Sequence, residues 1–121
     1  MDKRSAGRQG EDRACEALKK GGLKIIERNF SCPFGEIDII AREKKTLVFV
    51  EVKARASQDY GEPSEAVTRT KRRRILRTAE VYMQKHDWDD KPVRFDIVEV
   101  LPQDVRHIRD AFDGSALRGR Y

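Results

Sequence analysis

Cysteine is scarce in this chain: 121 residues hold only Cys15 and Cys32. Two are too few for a disulfide framework, and they lack zinc spacing. Cys15 reads as a small buried hydrophobe, and Cys32, beside Pro33, as part of a loop or strand end. Long apolar runs are missing too. No stretch approaches the length of a membrane span, and the N-terminus has no signal-peptide apolar segment, so no membrane partner and a cytoplasmic location are expected. The two histidines, His86 and His107, stand alone and suggest no ligand set. No repeat or linker interrupts the sequence. Its length suits one domain over residues 1–121, with a loose start over 1–5 and a flexible tail over 113–121.

Acids are absent where bases crowd. Residues 69–77 carry Arg69, Lys71, Arg72, Arg73, Arg74 and Arg77 with no acid among them. The whole chain has 26 basic against 21 acidic residues, so this one segment accounts for the net charge of +5. A focused basic patch attracts polyanions, nucleic acid first. A charge run is more often a solvated helix face, but single-sign charge over such a stretch argues for a partner.

Two strand-like runs, Gly35–Arg42 and Thr46–Lys53, are rich in Ile, Val and Phe and flank Glu43-Lys44-Lys45, the pattern of a β-hairpin. The turn lacks Asn-Gly or Asp-Gly, so a two-residue turn at Lys44-Lys45 and a four-residue loop over 43–46 are both open. Either sets Ile40 opposite Phe49, Asp38 opposite Glu51 and Glu36 opposite Lys53. Alternation then points Glu36, Asp38, Glu51 and Lys53 to one face, and Ile37, Ile39, Val50 and Val52 to the other. Directly opposed like charges repel; a cation between Asp38 and Glu51 would turn that repulsion into attraction. An ordinary solvated face with a Glu36–Lys53 pair is the plain alternative. The combined spacing of Asp38 with Glu51-x-Lys53 favours a metal-dependent site.

A helix is expected from a Ser5 cap to about Lys20, ending at Gly21-Gly22, with Gly7, Glu11, Ala14, Cys15 and Leu18 on one stripe. Glu11 is then a carboxylate on an apolar face, either snorkelling to water beside Arg8 or turned toward the hairpin acids. Leu23–Phe30 reads as a first strand, 31–34 as a connector and 54–62 as a loop. Thr68 is expected to cap a second helix to about Lys85, whose apolar face holds Ile75, Leu76, Ala79, Tyr82 and Met83. Lys71 and Arg72 lie beside that face and can reach toward the site; Arg73, Arg74 and Arg77 project elsewhere. After a turn over 86–91, Pro92–Leu101 is a strand containing a structural Asp96, and Val105–Phe112 an edge strand. The fold class is α/β, with a mixed sheet flanked by helices.

Glu11 on a first helix, Asp38 on one strand and Glu51-Val52-Lys53 on the next resemble the PD-(D/E)XK nuclease superfamily, whose αβββαβ core is restriction-endonuclease-like. More narrowly, Gly10-Glu11-Asp12 through Arg28-Asn29, Gly35-Glu36-Ile37-Asp38, Phe49-Val50-Glu51-Val52-Lys53 and Arg94-Phe95-Asp96 resemble the bacterial YraN family, itself similar to archaeal Holliday junction resolvases. Two departures are Ile37 in place of the superfamily's Pro and Lys44-Lys45 where the family often has Asp-Gly. The resemblance implies Asp38, Glu51 and the Val52 carbonyl as ligands of Mg²⁺ or Mn²⁺, Lys53 orienting the attacking water, and Glu11 as a further acid. It implies a nuclease for structured or branched DNA, with DNA ahead of RNA, and by analogy a homodimer. A binding module that kept the scaffold without cutting is the alternative, and an adaptor docking proteins through the basic helix a third.

Overall fold

The computed structural model describes residues 3–56, 67–88 and 91–114, with side chains in the first helix from Arg8 onward. The order is α1 (Lys3–Lys20), β1 (Lys24–Cys32), β2 (Gly35–Glu43), β3 (Thr46–Ala54), α2 (Arg69–Lys85), β4 (Val93–Leu101) and β5 (Asp104–Ile108). The five strands lie in sequence order across one sheet. Only β3 and β4 run parallel, the other neighbours being antiparallel. A parallel pair needs a crossover, and α2 is the helix within it. The expected mixed sheet and αβββαβ order are what the structure has.

The two helices serve separate cores. Ala14, Cys15 and Leu18 of α1 pack on Ile39, Ala41, Val48, Val50, Val98 and Val100. Ile75, Ala79 and Tyr82 of α2 pack on Ile37, Ile40, Phe49, Phe95 and Ile97. The sheet is therefore buried on both faces, and β4 is buried from Phe95 to Leu101, its acids Asp96 and Glu99 included. Thr68 caps α2 as expected, its hydroxyl accepting from the Lys71 N–H at 3.2 Å. At the end of α1, Gly22 has φ 95°, and the Leu23 N–H donates to the Leu18 carbonyl at 2.9 Å, closing the helix as a left-handed glycine permits.

Several expected boundaries move. α1 begins at Lys3, so Ser5 lies inside it and not at its N-terminus; Lys, Arg and Ala are good helix formers and extend the helix backward. β1 runs on to Cys32 because Ser31 and Cys32 pair with Glu36 and Gly35, which reduces the connector to Pro33-Phe34. Glu43 pairs with Thr46, giving the two-residue turn, and Lys44 supplies its positive φ of 55°. β5 stops at Ile108: Asp110 turns left-handed at φ 52°, and Phe112 folds back to stack on Phe95. The expected loop over 54–62 loses Ala54 to β3; its residues 57–62, the residues on to 66, residues 89–90 of the expected turn, residues 1–2 and residues 115–121 of the expected tail lie outside the described residues.

Candidate functional site

β2 carries the first acid, and it does so at an irregularity. Ile37 belongs to the α2-side core and Ile39 to the α1-side core, so these two residues do not share a face as strict alternation predicts. The alternation resets at Asp38. Across the β1–β2 ladder the pairs Arg28↔Ile39 and Phe30↔Ile37 flank this position, and the intervening Asn29 is left-handed at φ 57°. On the other side, Ile40 pairs with Phe49 as expected, but the ladder to β3 ends at Ile39↔Val50. Asp38–Glu51 and Glu36–Lys53 are thus not ladder pairs. Beyond the last rung, the Val52 N–H donates to Asp38 Oδ2 at 2.8 Å, so a side chain takes over from the backbone.

Asp38 and Glu51 nevertheless meet. Both line a cleft of about 490 Å³ together with Gly35, Glu36, Thr68, Thr70, Lys71, Arg74 and Ile75. Glu51 is almost wholly buried, at 8% exposure. Its Oε1 lies 2.6 Å from Lys71 Nζ. Asp38 is half-buried, and its carboxyl is pushed up to about 7, first by burial and then by the charge of Glu51; the Val52 N–H pulls it down, and Glu11 and Glu36 push it further up. The cleft floor is therefore a pair of crowded carboxylates short of positive charge, with one lysine ammonium in place.

The remaining acid and lysine stand farther out. Glu11 does not line the cleft. The Arg28 Nη2 donates to Glu11 Oε1 at 3.3 Å, and its Nη1 to Asp12 at 2.8 Å, tying α1 to β1. The partner is Arg28, not Arg8, because β1 passes beneath this face of the helix. Lys53 shares the face of Glu51 by alternation, is half-buried, and stands level with Glu99 in the parallel register, outside the cleft lining.

The basic residues at the start of α2 take different directions. Lys71 reaches the site as expected. Arg72 does not: its Nε donates to the Val67 carbonyl at 3.0 Å and its guanidinium lies over the Phe112 ring, because the chain entering α2 passes directly under it. Arg74, expected to point elsewhere, lines the cleft, since the helix lies close on Gly35. Arg69, Arg73 and Arg77 are exposed, with Arg77 over the ring of Phe34.

Two buried acids outside the cleft have structural partners. Asp96 accepts from Arg94 at 2.8 and 2.9 Å and from the Asp110 N–H at 2.9 Å, and lies 2.6 Å from His107 Nε2. Burial alone would raise its pKa; the bonds from His107, Arg94 and Asp110 outweigh that and hold it below the usual carboxylate range. Its structural reading stands, and His107, which looks isolated in sequence, is its neighbour across β4 and β5. Glu99, fully buried, pairs with Arg55 at 2.6 Å and Arg106 at 3.5 Å. The signal for it was a glutamate inside the apolar run Ile97-Val98-Glu99-Val100.

A divalent cation fits the donor set of the cleft. Among the described residues no three acidic, histidine or cysteine side chains converge as a closed cage. Two carboxylates are enough for a hard ion such as Mg²⁺, which keeps several waters and leaves room for substrate oxygens. A cation there would offset both the burial and the charge of Glu51, which together push Asp38 up to about 7.

Fold and site together define an α/β protein with an acid-floored cleft beneath the N-terminal half of a basic helix. The chain belongs to the uncharacterised protein family UPF0102, whose model matches residues 10–100. It is 48% identical over 118 residues to a UPF0102 protein of Caldicellulosiruptor saccharolyticus, covering 93% of this chain and 100% of that one. It is 47% identical over 107 residues to one of Persephonella marina, covering 88% and 92%. The family resemblance carried by the motifs is borne out. Among solved structures it is similar to Hjc, a Holliday junction resolvase of Archaeoglobus fulgidus, at TM-score 0.49 and 19% identity over 84% of this chain and 75% of that one. It is also similar to a chain of the EndoMS–dsDNA complex, at TM-score 0.41 and 18% identity over 78% and 37%. No described helix is long and apolar enough to cross a membrane.

Proposed function

We propose that the chain is a divalent-metal-dependent nuclease acting on structured or branched DNA. The observation that supports this best is the pairing of Asp38 with Glu51 on the cleft floor. Their burial and repulsion are strong enough to raise Asp38 to about 7. Asp38 and Glu51, with the Val52 carbonyl, are the groups that would hold Mg²⁺ or Mn²⁺. Such an ion supplies Lewis acidity toward a phosphodiester and a more nucleophilic water.

The chain's own residues do the rest. The Val52 N–H fixes the Asp38 carboxylate in one orientation. Lys71 balances Glu51 and, were that carboxylate engaged by a cation, would be free to meet a phosphate. Lys53 orients the attacking water, and Glu11, whose charge is felt at Asp38, is a further acid acting directly or through water. Arg69, Arg73, Arg74 and Arg77 hold the phosphate backbone largely without reading sequence. The first turn of α2 contains no acid, and the positive end of the helix dipole favours an anion at the same end of the cleft. The reading carries with it a cytoplasmic location, DNA ahead of RNA, and two copies of the chain where two strands must be cut.

A second reading is a nucleic-acid-binding module that does not cut. The Lys71–Glu51 pair favours it, because an ammonium already neutralises one of the two ligands. A cleavage panel of branched, duplex and single-stranded DNA with Mn²⁺, run beside Glu51→Gln, separates the two. The nuclease reading expects cutting that the variant abolishes while binding persists. Folded wild-type protein that binds DNA but leaves every substrate uncut supports the second reading.

A further inference from the structure

Phe34 and Ile26 are the large apolar side chains left exposed among the described residues, Phe34 the more so at 47%. Phe34 occupies the two-residue turn between β1 and β2, and the next two residues, Gly35 and Glu36, line the acidic cleft. The Arg77 guanidinium sits over the Phe34 ring, 5.4 Å from its centroid. Arg74, one turn earlier on α2, lines the cleft itself. This corner is tightly built: a Cβ on Gly35 would lie 3.3 Å from Thr78 Oγ1 and 3.5 Å from Arg74 Cβ. The ring is therefore held at the rim of the cleft, with a cation covering part of it and much of its surface open.

An exposed phenyl costs free energy unless something covers it, and Arg77 accounts for only part of the surface. An aromatic face with an arginine beside it, next to a phosphate-attracting surface, suits a nucleobase. Every base offers a π-face, and stacking needs no particular sequence. Bases inside a continuous duplex are already stacked on both sides, so the matching ligand is an unpaired base. Phe34 precedes Asp38 by four residues, about 13 Å along an extended strand. That is roughly four steps of a stacked strand at ~3.4 Å each.

We propose that Phe34, backed by Arg77, is a stacking platform for an unpaired nucleobase in a strand whose phosphates enter the acidic cleft. The platform confers a preference for DNA with unpaired bases near the cleft over continuous duplex. It rests on the nucleic-acid reading above and gives that reading a substrate class.

The test uses the full chain in EDTA, so that no strand is cut during titration. Wild type, Phe34→Ala and Phe34→Trp are titrated against a duplex carrying one unpaired 2-aminopurine and against the same duplex fully paired. Wild type is expected to bind the unpaired ligand about tenfold tighter and to quench its fluorescence. Phe34→Ala should lose that preference while keeping its affinity for the paired duplex, and Phe34→Trp should retain both preference and quenching. Equal loss on both DNAs, or no loss on the unpaired one, overturns the platform. Wild-type binding to both ligands without discrimination also overturns it and leaves the nucleic-acid reading standing. Folded wild type that binds neither overturns both.

Discussion

The ammonium of Lys71 lies 2.6 Å from Glu51 Oε1, so the first turn of the basic helix supplies the counter-charge for the most buried acid of the cleft. Helix α2 is thus fastened to the site by the same kind of charge that its other basic residues present to solvent. On the proposed metal reading, Lys71 and a divalent cation would compete for one carboxylate. Lys71→Met keeps the aliphatic stem and removes the competitor. It is expected to tighten Mn²⁺ binding about tenfold, the equivalent of one pKa-sized interaction, while weakening DNA binding. Calorimetric titration of Mn²⁺ into both proteins reads the first effect. Unchanged or weaker Mn²⁺ affinity in the variant would remove Lys71 from any competition at Glu51.

Asp38 gives the protein a pH dependence of defined sign. Its carboxyl ionises near 3.8 in the unfolded chain and at about 7 in the folded one, because burial and Glu51 oppose the charge. Between those values the folded state holds a proton that the unfolded state has released. Stability from this group is therefore complete below 3.8 and is lost as pH rises through about 7. Asp38→Asn is neutral at every pH, and its side-chain oxygen can still accept the Val52 N–H. The variant should melt several degrees above wild type at pH 8 in EDTA, with the gap closing toward pH 4. Mg²⁺ should raise the wild-type melting temperature at pH 8 and leave that of the variant unmoved. Equal melting curves at pH 8 would mean that Asp38 carries no such strain.

Three arginines of α2, at the cleft and beside it, should act as phosphate contacts. Arg73, Arg74 and Arg77 leave the helix without an ion-pair partner among the described residues, whereas Arg72 is committed to Val67 and Phe112. Replacing all three with Ala should lower the salt dependence of duplex binding, the slope of log K against log salt falling by about 2.7 at ~0.9 per contact. Fluorescence anisotropy at a series of KCl concentrations measures it. A triple variant with the wild-type slope would assign the DNA surface elsewhere.

Much of this arrangement is legible in the chain itself, and what is not has a local cause. Thr68 before a basic amphipathic run marks α2 because side-chain capping and helical spacing are both local. The Ile40–Phe49 register follows from a short turn, since the two-residue turn and the four-residue loop both give it. Asp38 is different. Whether Ile37 and Ile39 share a face depends on the left-handed Asn29 in the neighbouring strand, and no pattern within β2 records it. The Arg28–Glu11 pair likewise depends on where β1 passes under α1, which strand periodicity leaves open. Arg72 and Arg74 exchange their expected directions because helical angle alone omits the chain entering the helix and the close approach of Gly35. Glu99 carries a local signal, a glutamate inside an apolar run, and the parallel β3–β4 register sets it level with Lys53.

Mn²⁺ titration of wild type, Asp38→Asn and Glu51→Gln at pH 8, followed by calorimetry, asks whether the two cleft carboxylates hold a cation together. Wild type should show a saturable site that either substitution weakens at least about tenfold, since each removes one charged ligand. Folded variants that both bind Mn²⁺ as wild type does would show that Asp38 and Glu51 are not a metal site.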